Sequence, residues 1–326
     1  MKMNRKALVV AITVFFILNS GATSATTADE WWNSSWHYRV KVTVNTSSYN
    51  RTDWPIEQWI NFTEELQKLG VSGTFDNNSV RVIEYWDNGT IKDEGTSKDG
   101  ITSQFDPGEG YNNTSNAIGE VVWLLNGTRP ENTVYTFYIY FDIVEKGPKT
   151  PPYYETDLSY TTLWSGYRFL LNNSKLTIGV ETSGWRPNET SGIYYAEVNG
   201  DVHFNESDLT ERTIEYQKYK DSGNTLFGFY FGEDNYSLVV DGPVRKVVEI
   251  VGDERYWEDP EASTNTNAII VKRYTIYSRN QWVEVEQTYI NNGSGDIERG
   301  SADTAYAYAL TFDAVRAYGS QGTLCQ

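Results

Sequence analysis

The chain is poor in the residues that usually carry enzyme chemistry or lock an external fold. Its 326 residues hold one cysteine, Cys325, so no disulfide can form within the chain. A protein of an oxidising compartment built this way is held by packing, by ions or by partners. Only two histidines occur, His37 and His203, too few for a histidine-rich metal site or for Ser-His-Asp machinery. Basic residues are outnumbered: 27 Lys and Arg stand against 44 Asp and Glu, a net charge of −17. Duplex nucleic acid is bound by Lys and Arg that neutralise phosphates, so nucleic acid is not expected as a partner, nor is an anionic membrane surface. Beyond Leu18 no apolar run reaches membrane-spanning length, so no transmembrane segment is expected in the mature chain. No catalytic motif stands out, and the catalytic residues are unassigned.

What the sequence does have begins with an export signal. Lys2, Arg5 and Lys6 precede the apolar run Ala7 to Leu18, and small residues follow up to Ala25. Cleavage after Ala25 or Ser24 is expected, making residues 1–25 a signal peptide. Lys6-Ala7-Leu8-Val9 also fits an archaeal pilin-type cut, which would retain the apolar run as a filament helix. That run stops at Asn19, so ordinary secretion is the reading taken. Behind the signal stand the Asn-X-Ser/Thr acceptors Asn33, Asn45, Asn50, Asn61, Asn77, Asn88, Asn112, Asn113, Asn126, Asn172, Asn188, Asn205, Asn235 and Asn292. Such a density points to an archaeal-type glycoprotein, secreted or on the cell surface.

Hydrophobic content of 39% with 15% aromatics indicates folded structure, and strand periodicity dominates it. Tyr38, Val40, Val42 and Val44 alternate with polar residues, as do Tyr135, Phe137, Ile139, Phe141 and Ile143. Val121 to Leu125 reads as a buried strand. One short helix is expected from Thr63 to Leu69, capped by Thr63 and ended by Gly70. Gly147-Pro148-Lys149-Thr150-Pro151-Pro152 reads as a stiff linker. Beyond it, Phe169 to Val180 and Leu238 to Val251 read as hairpins, and Ile269 to Tyr277 with Trp282 to Ile290 as long paired strands. The expected fold class is therefore all-β, with two antiparallel β-sandwich modules, the second larger. Their boundaries are 26–147 for the N-terminal sandwich, 148–157 for the linker and 158–326 for the second sandwich. The lone thiol next to the end leads to the expectation that this second module continues in a longer polypeptide.

The order Trp36-His37-Tyr38-Arg39, Trp54-Pro55-Ile56, Phe75-Asp76, Val80 to Glu84, Ser103-Gln104-Phe105-Asp106 and Val122 to Thr128 resembles the N-terminal β-sandwich of exo-rhamnogalacturonan-lyase-like secreted proteins. Gly242-Pro243-Val244-Arg245 and Trp282-Val283-Glu284-Val285 are similar to the galactose-mutarotase-like super-sandwich that follows in those proteins. The resemblance implies a fold that hosts enzymes, sugar-binding modules and surface proteins alike. Those lyases also carry a helical toroid, of which this sequence shows no segment. If the polypeptide is an enzyme, a polysaccharide lyase or a glycoside hydrolase, its catalytic part is not evident here.

Sugar recognition needs rings that stack on a pyranose C–H face and carboxylates that accept from hydroxyls. Trp257 with Glu258 and Asp259, Trp185, the pair Tyr194-Tyr195, and His203 after the Asn199-Gly200 turn are the candidates. Core packing is the competing role for each ring. Glu284 and Glu286 share a strand face, roughly 7 Å apart at Cα, and a solvated sheet face is their competing role. His37, on the polar face of its strand, is expected to be solvated. No cofactor is expected. Asn291, Asn292, Ser294 and Asp296 make an oxygen-rich loop of the kind that binds Ca²⁺, but without EF-hand spacing, so a plain turn is the reading taken. The partner implied is a polysaccharide or cell-surface glycan. The competing functional reading is a structural cell-envelope, surface-layer or filament glycoprotein that self-assembles through its edge strands.

Overall fold

The computed structural model describes residues 29–92, 99–163, 168–181, 192–204, 216–220, 227–230, 236–256, 268–291 and 296–298, with short strand pieces at 10–11, 317–318 and 324–325. The chain is mostly β, with antiparallel sheets and one α-helix among the described residues. It divides into two compact units, Met1–Thr156 and Asp157–Gln326.

The first unit is a sandwich. One sheet orders β1 (Val10–Ala11), β2 (Tyr38–Asn45), β7 (Val134–Ile143) and β4 (Phe75–Tyr85); the other orders β3 (Arg51–Asn61), β6 (Ile118–Arg129) and β5 (Ser103–Pro107). Alternation fixes the register: Val40 lies opposite Ile139 and Val42 opposite Phe137, while Ile56 lies opposite Trp123 in the facing sheet. A one-residue slip would turn each of these side chains out of the core, so the pairing is strongly specified. Between the layers, Trp123 meets Phe137 at 5.4 Å, and Phe62 stacks on Phe75 at 4.3 Å. That stack also corrects the expected helix start. Because Phe62 enters the core, α1 (Phe62–Lys68) begins one residue early, and Asn61 caps it by accepting from Glu64 N at 3.3 Å. Thr63 Oγ1 accepts from Ala117 N instead.

The outer face of the first sheet is covered. Tyr138, Tyr140 and Asp142 alternate away from the core, the face the sequence shows as polar, yet all three are buried. A strap of residues 29–37 lies over them. Arg39 is its hub: the guanidinium stacks 4.0 Å from the Tyr138 ring and 4.6 Å from Trp31, and donates to Tyr140 Oη and to the Glu30 and Asp29 carbonyls. Tyr138 donates its hydroxyl to Asp29, which also pairs with Lys41 at 3.3 Å. Trp36 donates to the Ser79 carbonyl. Asp142 is satisfied by His37 Nδ1 and Lys149 Nζ, both at 2.8 Å, so His37 is tied into the fold rather than merely solvated. The Pro-rich stretch is likewise bonded to this unit: Lys149 N donates to Asp76 and Arg81 donates to the Thr150 carbonyl.

At the sandwich rim, Glu84 is buried and accepts two bonds from Arg129, at 3.0 and 2.9 Å, and one from Lys92 at 2.5 Å. Such a cluster fixes geometry more than it adds stability, and loss of Arg129 removes two charge-assisted hydrogen bonds from Glu84 while leaving Lys92 as its cation.

In the second unit, β8 (Ser159–Leu163), β9 (Arg168–Asn172), β10 (Leu176–Glu181), β11 (Gly192–Val198) and β12 (Asp201–Phe204) form one antiparallel sheet. A seven-stranded sheet contains β13 (Tyr216–Lys220), β14 (Phe227–Tyr230), β15 (Tyr236–Asp241), β16 (Arg245–Tyr256), β17 (Ala268–Tyr277), β18 (Val283–Asn291) and β19 (Asp296–Glu298). Phe169, Leu171, Ile178 and Val180 from the first meet Val248, Ile250, Tyr274 and Ile276 from the second in one core. The expected hairpins are present, with Leu171 opposite Ile178 and Leu238 opposite Val248.

Two outcomes follow for the first unit. Arg129→Met should destabilise it by about 2 kcal/mol, the scale for losing hydrogen bonds to a buried charged group that keeps a second cation, read as a lower midpoint in chemical denaturation. The second concerns Asp29. Burial raises its pKa, but the Tyr138 hydrogen bond and the Lys41 and Arg39 charges outweigh that and hold it below the ordinary value. A depressed carboxylate binds fewer protons in the folded state. Its contribution is full above the unfolded value of about 3.9 and is lost as pH falls through the folded value. Tryptophan fluorescence of the strap should therefore change only in that acid range, and Asp29→Asn should weaken the strap at neutral pH and flatten this limb.

Candidate carbohydrate-binding face

The outer face of the five-stranded sheet in the second unit gathers the chemistry that sugar recognition uses. Phe169, Ile178 and Val180 point to the core, so Arg168 on β9 and Gly179 and Glu181 on β10 face the other way. β11 meets β10 with a register shift at Gly179/Val180, where Ile193 pairs with Val180 and Tyr195 with Gly179. Tyr194 is thus the extra residue of a β-bulge, which re-aims its side chain. The ring lies across Gly179, where a Cβ would come within 2.6 Å of it. A larger residue there would oblige the Tyr194 ring to move.

Arg168 sits over the same ring at 4.4 Å and pairs with Glu181, Nη2 to Oε1 at 3.2 Å. Beside it, Tyr195 donates its hydroxyl to Glu197 on the same strand. That bond, with some burial, pushes the Tyr195 pKa up to about 12, so the phenol stays protonated at neutral pH. The rings of Tyr194 and Tyr195 and the carboxylates of Glu181 and Glu197 therefore lie together on one sheet face, the set that can stack on a pyranose and accept from its hydroxyls, while Arg168 is buried against the Tyr194 ring and holds Glu181 in place.

Tyr194 and Tyr195 thus lie inside a strand and not in a loop. His203 is exposed on β12, after a turn whose Asn199 and Gly200 take φ +53° and +87°, as a two-residue hairpin requires. Trp185, Trp257 and Glu258 lie outside the described residues. Glu284 and Glu286 lie on β18 facing away from the core that Val283 joins, and Glu284 accepts from Tyr277 Oη at 3.1 Å. Asn291 ends β18 and Asp296 opens β19, while Asn292 and Ser294 lie outside the described residues. Sequence reasoning missed Arg168, Glu181 and Glu197. The signal was their alternation with the core residues, which the bulge interrupts at Tyr194.

The acceptor asparagines of the first unit are placed at turns and strand ends, except Asn77 and Asn126, which lie within β4 and β6. Asn45, Asn50, Asn77, Asn88, Asn112 and Asn113 are exposed, and Asn33, Asn61 and Asn126 are half-buried; Asn172, in the second unit, is also half-buried. Asn188, Asn205, Asn235 and Asn292 lie outside the described residues. Among the described residues, no group of three or more His, Cys, Asp or Glu is arranged to hold a metal ion, and no helix is long and apolar enough to cross a membrane.

No family model matches the chain, and no curated protein matches it at a significant level. Among solved structures it is similar to a protein in the glycosyl hydrolase family 38 from Enterococcus faecalis, at 13% identity and a TM-score of 0.39. The likeness covers 82% of this chain and 32% of that protein, so the chain spans about a third of its length.

Proposed function

We propose that the chain is a secreted, glycosylated β-sandwich protein that interacts with carbohydrate, as a module of a polysaccharide-binding or polysaccharide-degrading protein. The observation that carries this reading is the bulged Tyr194 beside Tyr195, set with Arg168, Glu181 and Glu197 on one sheet face. Among the described residues the Tyr194 ring is not part of the core cluster, and rims and irregularities of sheets are where binding residues collect.

A second reading, the self-assembling envelope glycoprotein, is favoured by a different observation. β18 pairs with β17 and, among the described residues, with no other strand. Val285 and Ile290 on it are exposed, and a long edge strand with exposed β-branched residues is a template for pairing between chains.

Glycan-array binding of the full chain, followed by calorimetry on the best oligosaccharide, decides between them. Saturable binding is expected, and Tyr195→Ala should weaken it about tenfold, or about 1.4 kcal/mol, the scale of one lost ring stack. The melting temperature should stay within about 2 °C, as for a surface substitution. Absence of binding to every glycan, together with concentration-dependent sedimentation as an assembly, would replace the sugar-binding reading with the envelope one.

A further inference from the structure

Three tryptophans are exposed among the described residues: Trp31, Trp59 and Trp86, at 39%, 53% and 54%. Each stands two positions before an acceptor asparagine, in Trp31-Trp32-Asn33, Trp59-Ile60-Asn61 and Trp86-Asp87-Asn88. Aromatics at the same offset before other acceptors behave differently: Phe75, before Asn77, is buried, and Tyr111, before Asn113, packs on the core. So the tryptophans left in water stand two positions before acceptor sites, an offset the exposed Tyr49 and Tyr153 do not share, and the rings that the core needs are withdrawn from theirs.

The Trp86 turn shows why the coincidence has a mechanism. Gly89 N donates to the Trp86 carbonyl at 2.9 Å, Trp86 N donates to the Thr90 carbonyl at 2.8 Å, and Gly89 takes φ +82°. That is a four-residue turn followed by a glycine bulge, which sets Trp86 and Thr90 on either side of Asn88. Thr90 N and Oγ1 both donate to Asn88 Oδ1, at 3.0 and 2.7 Å, leaving Nδ2 as the amide atom for a sugar. Lys92 Nζ lies 4.5 Å over the Trp86 ring, so one face is covered by a cation while the side chain stays largely exposed. On β3, Trp59 and Asn61 are two apart on one strand and therefore share a face. The Trp59 ring lies against Gly108, where a Cβ would come within 2.7 Å of it, and remains exposed.

We propose that Asn88, whose Nδ2 is left for a sugar while Asn61 Nδ2 donates to Glu64 Oε1 at 2.9 Å, carries an N-linked oligosaccharide whose first sugar rests on the open face of Trp86. The inference rests on the reading of the chain as a secreted glycoprotein. The donor is an oligosaccharide carried on a lipid-linked phosphate. Asn88 Nδ2 bonds to the anomeric carbon, the carbon–oxygen bond to phosphate breaks, the phosphate leaves with its electron pair, and Nδ2 gives up one proton. The sugar's C–H face then covers apolar ring area that the fold otherwise leaves in water. Trp86 is thus a platform for the chain's own glycan, distinct from the Tyr194 face offered to an external sugar.

Glycopeptide mass spectrometry of the full chain from an N-glycosylating host should find Asn88 occupied. Melting curves then test the stack. Trp86→Val should lower Tm by about 3–6 °C in the glycosylated protein, the shift expected for roughly one ring stack. In an Asn88→Asp background, which keeps the acceptor oxygens for Thr90, the same change should cost at least about 2 °C less, because only the Lys92 contact with the ring is then lost. Equal losses in both backgrounds overturn the platform and leave the glycoprotein reading intact. Asn88 empty beside occupied acceptors elsewhere also overturns the platform alone, whereas a chain bare at every acceptor overturns the glycoprotein reading with it.

Discussion

The first unit depends on one constraint: β7 is buried on both faces. Its inner face of Phe137, Ile139 and Phe141 is ordinary core, but its outer face is Tyr138, Tyr140 and Asp142. A buried hydroxyl or carboxylate without a partner is costly, so each of the three must be satisfied from within the protein. That requirement brings in the strap with Asp29, the guanidinium of Arg39 between rings, and the pairing of His37 and Lys149 on Asp142. With no disulfide possible, the N-terminal segment is held by directional polar bonds over aromatic surface. The satisfied network also selects one arrangement, because Arg39 cannot meet Tyr140, Glu30 and Asp29 in any other register of β2 against β7.

Aromatic rings, abundant in this chain, play three roles that their partners separate. Phe62, Phe75 and Trp123 fill the core. Trp31, Trp36, Tyr138 and Tyr140 house cations and hydroxyls in the strap. Trp59 and Trp86 stay in water next to acceptor asparagines. Composition alone cannot tell these roles apart, since each calls for the same large, flat, polarisable side chain.

Much of the fold was legible because period-two alternation is a direct consequence of the pleat. The strands around Val40–Val44, Tyr135–Ile143, Leu171–Ile178 and Ile269–Tyr277 are where alternation places them. The helix start moved by one residue because a core contact by Phe62 outweighs the capping preference of Thr63. The strap was illegible for a physical reason: residues 29–37 have no periodicity, and their order comes from partners far away in sequence, such as Tyr140 and Ser79. The candidate face was half legible. Tyr194 and Tyr195 drew notice as neighbouring rings, but a bulge inserts one residue and breaks the alternation that would have tied them to Arg168 and Glu197.

The strap also sets a limit on how the chain can be matured. Asp29 supplies its carboxylate to Tyr138 and Lys41 and its carbonyl to Arg39, so trimming that removed it would strip three contacts at once. Every new amino terminus carries a positive charge, and Arg39 and Lys41 already crowd that corner. The expected cut after Ala25, if made, would remove β1 from the edge of the first sheet and leave Thr26, Thr27 and Ala28 ahead of Asp29. Those residues reach at most about 10 Å when extended, close to the screening length of roughly 8–10 Å at physiological ionic strength. The spacer is long enough for salt to blunt repulsion between the new ammonium and the two cations, and a closer cut would set like charges against each other where the strap is fastened.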